Sequence, residues 1–198
     1  MTDQEAHEAR KQALYEEIDA KHKELVELLK SEGPEPVEDY VLKGASGEDV
    51  RLSELFGDKP DLVLVHNMGR RCPYCTLWAD GFNGVIHHLE DRAGFVVVSP
   101  DSPEDQREFA SSRGWRFRMV SAAGSTFTND LGFEAEHEGK PWPMPGCSTF
   151  RKTDDGKIER VAKTFFGPGD PYCAVFHLFP LLSTGVDGWQ AKLDYAAT

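Results

Sequence analysis

The chain is short of basic residues: 22 Lys and Arg stand against 34 Asp and Glu, a formal net charge of −12. Phosphate backbones and anionic lipid repel such a surface, so nucleic-acid and membrane-surface roles are poor first readings. No apolar run approaches the roughly 18 residues that a membrane-spanning helix requires. The opening Met1-Thr2-Asp3-Gln4-Glu5 lacks the basic-then-apolar pattern of a secretory signal, and a cytoplasmic location is the expectation. Cysteine is scarce as well. Cys72, Cys75, Cys147 and Cys173 are too few and too unevenly spread for a secreted disulfide scaffold. In a reducing compartment such thiols are catalytic, metal-binding or buried. With 198 residues, 39% hydrophobic and 11% aromatic, the chain has the length and composition for one domain with a core and an extension. Internal repeats and low-complexity segments are absent.

From residue 6 to 31, Ala6, Leu14, Ile18, Leu25, Leu28 and Leu29 recur at helical spacings until Gly33-Pro34-Glu35-Pro36 stops the pattern. The simpler expectation is an amphipathic helix that covers the domain; the sharper one is a heptad seam for a homodimer. Residues 1–40 hold 12 acids against 5 bases and the remainder 22 against 17, so most of the net acidity sits on this arm. We therefore divide the chain into an N-terminal helical extension, residues 1–36, and one domain, residues 37–198.

Within that domain, Tyr40 to Lys43 and Val50 to Leu52 read as a hairpin, and Ser53 to Gly57 as a helical turn. Leu62 to Asn67 and Phe95 to Ser99 are continuous apolar runs, as strands buried on both faces require. A helix containing Leu77, Trp78, Val85, Ile86 and Leu89 separates them, with Gly81 and Gly84 weakening its regularity. Ser102-Pro103-Glu104-Asp105 opens a second helix that Gly114 closes. A short strand at Phe117 to Val120, a helical turn at Thr126 to Leu131, a loop over residues 132–146, a hairpin (Ser148 to Arg151 and Ile158 to Phe165) and a closing helix from Tyr172 to Leu182 complete an α/β pattern with a central mixed sheet flanked by helices.

Cys72-Pro73-Tyr74-Cys75 lies where the first buried strand gives way to a helix. A thiol attacks a disulfide only as the thiolate, and a helix N-terminus lowers a thiol pKa through unpaired backbone N–H groups. Pro73 suits the first helical position, where its missing N–H costs nothing. Cys75, three residues on, shares the helix face and can resolve a mixed disulfide. Cys72 is thus the expected nucleophile and Cys75 the resolving thiol, with Arg70 and Arg71 adding positive charge and Tyr74 in support. The alternatives are inert buried thiols or a metal site, for which zinc needs two further ligands; Cys147 and Cys173 are available but distant.

The layout resembles the thioredoxin fold in the form shared by peroxiredoxins and thioredoxin-like reductases, whose opening strand, Gly turn, Val-x-Leu strand and short helix match Tyr40 to Phe56. More closely, the chain resembles the bacterial family known as domain of unknown function 899. The matching stretches include Glu38-Asp39-Tyr40, Leu52 to Phe56, Cys72 to Cys75 with Ala79-Asp80, Arg113 to Phe117, Thr126 to Asp130 and Pro145-Gly146. The resemblance implies a thioredoxin-like fold and leaves the substrate open. Aligned on that fold, Cys147 falls at the position of the cis-proline opposite the dithiol, where it is a second exchange partner or completes a Cys72, Cys75 and Cys147 metal pocket; alternatively Pro145 fills that position. The peroxidatic pattern is departed from: Gly69 stands where its threonine would be, three residues before Cys72. The glutathione-binding elements of dithiol glutaredoxins have no counterpart beyond Gly169-Asp170.

Other candidates have bland readings beside them. His66 is a proton relay or a structural histidine. Trp78 shields the site or packs, and Trp115 and Trp142 line a substrate groove or pack. His87 and His88 are surface residues, and Asp80 is a cap or ion-pair partner. Arg113, Arg116 and Arg118 form a positive rim or are solvated. The leading expectation is a dithiol-disulfide oxidoreductase that needs no organic cofactor and works with a protein or small-molecule disulfide and an external thiol reductant. A metal-binding or redox-sensing module and a thiol peroxidase are the alternatives.

Overall fold

The N-terminal helix departs furthest from its sequence pattern. In the computed structural model, which describes residues 2–195, Asp3–Ser31 forms one helix, α1. A capping box starts it: the Glu5 amide donates to Thr2 Oγ1 at 3.2 Å, and the Thr2 amide donates to the Glu5 carboxylate at 2.7 Å. Surface ion pairs such as Lys23–Asp19 and Lys21–Glu24 add a few tenths of a kcal/mol each, about what exposed helical pairs contribute. The expected cover over the domain is not formed. No α1 residue is buried, and Leu14, Tyr15, Ile18, Leu25 and Leu28 are exposed. Its last turns meet the sheet, where Val26, Leu29 and Lys30 line a small cavity with sheet residues.

After α1 the chain forms β1 (Glu35–Val37), β2 (Val41–Lys43), β3 (Asp49–Arg51), a 3-10 turn (Leu52–Phe56) and β4 (Asp61–His66). Helices α2 (Pro73–Gly84) and α3 (Ile86–Arg92) lead to β5 (Gly94–Ser99), then α4 (Pro103–Arg113), β6 (Arg118–Ser121) and α5 (Phe127–Asp130). Two short strands, β7 (Glu134–His137) and β8 (Lys140–Pro143), precede β9 (Gly146–Lys152), β10 (Ile158–Phe165) and the one-turn helix α6 (Val175–Leu178). The main sheet runs β1-β10-β9-β4-β5-β6-β2-β3. Its middle strands β4, β5 and β6 are parallel, and β9 is antiparallel to β4.

The apolar runs in β4 and β5 are continuous because each alternates between two cores. Leu62, Leu64, Val96 and Val98 join Leu52, Phe56, Phe127, Phe133 and Phe150 on one face. Val65, Phe95 and Val97 join Cys75, Trp78, Ala79 and Ile86 on the other. Both faces being covered is what parallel strands require.

Several boundaries differ from the sequence pattern. The expected single helix after the dithiol breaks at Val85 (φ −117°, ψ 15°) into α2 and α3. The expected loop over residues 132–146 contains the β7–β8 hairpin. Residues 35–37, read only as a helix stop, form an edge strand on β10, which suits Pro36 because an edge position leaves no ladder donor missing. The closing helix is shorter than Tyr172 to Leu182: α6 is followed by a 3-10 turn at Phe179–Leu181. The α4 signals are met in full, with the Asp105 amide donating to Ser102 Oγ at 3.2 Å and Gly114 in the left-handed region at φ 66°.

This division between core and arm has a measurable consequence. Leu64→Ala, inside the sheet, is expected to lower the urea-unfolding free energy by about 2–5 kcal/mol. Ile18→Ala, on the exposed arm, is expected to change it by less than about 0.5 kcal/mol.

Candidate active site

Strand β4 carries the chain out of the core directly into the dithiol loop. The Asn67 amide still pairs with the Val98 carbonyl at 2.9 Å, after which the backbone turns. Asn67 Oδ1 accepts from the Gly69 amide at 2.8 Å, and Asp101 Oδ2 accepts from the Arg70 amide at 2.7 Å. Gly69 sits at φ 102°, and a Cβ there would lie 2.8 Å from Asp101 Oδ2. Both facts demand glycine. The Cys72 amide then closes the loop on the Gly69 carbonyl at 3.1 Å.

Cys72 is the N-cap of α2, and Pro73 occupies the first turn. The Cys75 amide donates to Cys72 Sγ at 3.2 Å, so the sulfur takes the capping place that a Ser or Asp oxygen usually fills. Cys72 is half-buried and Cys75 buried, both as free thiols. Their acidities are driven apart. A hydrogen bond from the Cys75 thiol, aided by the amides of Cys75 and Tyr74, outweighs burial and lowers the Cys72 thiol from 9.0 to about 7. The same hydrogen bond, with burial, holds the Cys75 proton on far above the usual thiol range. This is the pattern of one attacking sulfur and one waiting sulfur.

The supporting residues divide. The expected contribution of Arg70 and Arg71 to the thiolate is corrected: hydrogen bonds, not a cationic side chain, lower Cys72, and Arg70 points to Asp105 on α4 at 2.7 Å. Arg71 is exposed. Tyr74 packs towards Trp78 and Phe176, with ring centroids 6.3 and 6.4 Å away.

Pro145 directly precedes β9, while Cys147 is the second residue of that strand, opposite Val65 of β4. Among the described residues no peptide bond is cis, so neither residue supplies the expected cis-proline. Burial pushes the Cys147 thiol up to about 12, and its recorded sulfur contact is to the Ser148 carbonyl at 3.6 Å. Among the described residues no three His, Cys, Asp or Glu side chains are placed to hold a metal. The Cys72, Cys75 and Cys147 pocket is thus not assembled: Cys147 lies in the ladder and opens towards α1 and Tyr172. Cys173 is buried, and burial raises its pKa too.

His66 resolves to its structural reading. It alternates away from Val65 and stacks on Phe133, with centroids 3.6 Å apart, while Nε2 meets Ser148 Oγ at 3.0 Å. Burial, then Arg160, lowers its pKa well below the usual value, so it is a neutral ring in the opposite core. Asp80 is an ion-pair partner, binding Arg113 and accepting from Trp115 Nε1 at 2.8 Å. Arg113 also donates to the Leu193 carbonyl at 3.0 Å and so ties the C-terminal segment to α2. Arg116 bonds to Asn83 and His87, which dissolves the expected arginine rim. Asp170 bonds inward, accepting from the Gly167 and Tyr172 amides at 3.0 and 2.8 Å and from Trp78 Nε1 at 3.4 Å; Gly169-Asp170 is a turn, not a thiol-ligand clamp.

Sequence reasoning missed Asn67 and Asp101, which shape the dithiol loop. It also missed the aromatic side chains that the C-terminal segment brings beside Tyr74. Asp101 had one available signal, its place just past the end of the second buried strand, where parallel sheets gather their sites.

Comparison with known proteins agrees with this architecture. The family model described as "Bacterial protein of unknown function (DUF899)" matches residues 1–194. No curated protein matches the sequence. Among solved structures, the peroxidoxin BcpB from Mycobacterium tuberculosis is 27% identical, with a TM-score of 0.55 over 67% of this chain and 84% of its own. A peroxiredoxin-like protein from Aquifex aeolicus is 18% identical, with a TM-score of 0.54 over 67% and 74%. The reduced Prx3 of Vibrio vulnificus, in complex with hydrogen peroxide, is 15% identical, with a TM-score of 0.56 over 69% and 88%. The fold is the peroxiredoxin-like form of the thioredoxin fold.

The split acidities give a pH prediction. Alkylation of the native protein by iodoacetamide is expected to modify Cys72 alone, with a rate that rises through a single ionisation near pH 7. Peptide mapping at pH 6 and 8 checks both the site and the sign. Because folding lowers this pKa, the associated stabilisation is complete above the unfolded-state value of 9.0 and is lost as pH falls through about 7. Two ionisations, or equal labelling of Cys75, would contradict the assigned roles.

Proposed function

Because this chain belongs to the bacterial DUF899 family and sets a Cys-Pro-Tyr-Cys dithiol at the head of α2, we propose that it is a dithiol-disulfide oxidoreductase. The observation that carries the reading is the Cys72 sulfur capping α2, with its pKa lowered to about 7 while Cys75 stays protonated. In the reductive direction the Cys72 thiolate attacks one sulfur of a substrate disulfide. A Cys72–substrate S–S bond forms, the substrate S–S bond breaks, and the departing thiolate takes a proton. Cys75 then loses its proton and attacks Cys72 Sγ, which closes the Cys72–Cys75 disulfide and releases the second substrate thiolate. The substrate gains two electrons and the protein loses two. A thiol reductant outside the chain restores the dithiol.

A second reading, thiol peroxidase, draws support from neighbours named as peroxidoxins and peroxiredoxins. The geometry at Gly69 weighs against it. The threonine hydroxyl of the peroxidatic pattern has no place at a position with φ 102° and Asp101 packed against it.

Insulin-disulfide reduction tests the first reading. Cys72→Ser is expected to reduce turnover to background, and Cys75→Ser to accumulate a mixed disulfide visible by intact-mass spectrometry. Turnover by both variants equal to the parent protein would end the dithiol assignment. Under the same conditions peroxide consumption is expected to stay slow, and Gly69→Thr is expected to destabilise the loop without raising it. Rapid, Cys72-dependent peroxide consumption would favour the second reading.

A further inference from the structure

The last described stretch of the chain does not pack away its apolar side chains. Leu178 is 57% exposed, Leu181 80%, Leu182 58% and Val186 44%. Two adjoining cavities are lined in part by Leu182 and Val186. The first, about 230 Å³, is lined by residues that include Tyr74, Pro168, Phe176, Phe179, Val186 and Trp189. The second, about 550 Å³, shares Phe179, Val186 and Trp189 and continues to Leu182, Asp187 and Lys192. Tyr74 belongs both to the dithiol tetrapeptide and to the lining of the first cavity, so the cleft starts at the residue between Pro73 and Cys75.

We propose that this cleft selects the substrate of the dithiol, and that the substrate is a polypeptide disulfide flanked by an apolar side chain. The inference rests on the dithiol reading given above. The chemistry of the lining supports it. Among the described residues, no charged side chain lines the cavity beside Tyr74. The carboxylates of a small anionic disulfide would be desolvated there without a partner, which is unfavourable. A Leu or Phe side chain instead meets Tyr74, Phe176 and Trp189, where burial of apolar area is favourable. Trp189 is itself braced edge-on by Phe179, with centroids 4.8 Å apart, and so presents a set surface. The two cavities end to end suit an extended chain, which advances about 3.3 Å per residue, better than a compact small thiol. Charged groups appear only at the far end, at Asp187 and Lys192, where a peptide backbone would leave towards solvent.

The test compares three substrates: a disulfide-bridged peptide with Leu flanking its cysteine, the same peptide with Ser there, and hydroxyethyl disulfide. For the parent protein, kcat/KM is expected to be at least about tenfold higher for the Leu peptide than for the Ser peptide, the scale set by burying one such side chain. Trp189→Ala and Val186→Glu are each expected to collapse that preference to within about twofold, and the ratio to hydroxyethyl disulfide turnover is expected to fall with it. Val186 is already exposed, so its variant guards against a folding defect, and the denaturation midpoint is measured for both. A parent protein active on all three substrates without preference overturns this inference and leaves the dithiol reading standing. A parent protein inert on all three overturns both. If Val186→Glu dissociates a dimer in sedimentation while the preference persists, the cleft belongs to a second copy of the chain and the inference fails.

Discussion

The first turn of an α-helix has amide N–H groups with no partner inside the helix, and the site depends on the fact that a sulfur meets those of α2. Cys72 caps the helix as a serine would, but a thiol in that place becomes more acidic as it accepts. Everything around it serves to hold that geometry. β4 is fixed by partners on both sides and by a core on both faces, so the chain leaves the sheet at a defined point. Asn67 and Asp101 then accept from the Gly69 and Arg70 amides and force the turn through Gly69. The acidity of Cys72 therefore comes first from the Cys75 thiol that the helix sets against it and then from the amides of the first turn, not from nearby charge.

The same constraint shapes the surroundings of the dithiol. A loop that turns through glycine against Asp101 has no room for the hydroxyl that peroxide chemistry would place there. Its arginine at position 70 is held by α4, away from the thiolate. Cys147 shares the dithiol's side of the sheet, yet as a half-buried ladder residue it keeps its proton. Three of the four cysteines thus hold protons at neutral pH: burial raises Cys147 and Cys173, and the bond to Cys72, then burial, raises Cys75. The fourth is set apart because the Cys75 thiol, and after it the helix amides, donate to it.

Much of this was legible in order along the chain. Continuous apolar runs predicted β4 and β5, and Ser102-Pro103 with Gly114 predicted both ends of α4, since those signals act over three or four residues. The placement of the two cysteines at a helix N-terminus was legible for the same reason: helix-start signals are local. The errors came where a side chain's partner lies far away in sequence. Apolar spacing in α1 cannot report that its face meets no core. Arg70 beside Cys72 in sequence cannot report that Asp105 claims it, nor can Arg113 announce its place between Asp80 and the Leu193 carbonyl.

What the sequence determined by itself was a scarcity of thiols, an acidic arm, and two cysteines three residues apart at a strand-to-helix junction, each fixed by composition or by spacing within one turn. The tertiary structure alone decided which of those thiols ionises readily, because a sulfur's pKa depends on the amides, thiols and apolar atoms that the fold brings to it. It alone removed Cys147 and His66 from the chemistry, through burial within the sheet in one case and side-chain alternation to the opposite core in the other. It also set an apolar cleft against Tyr74 by bringing residues 168–189 back to the head of α2, a closure across nearly 100 residues that no local pattern encodes.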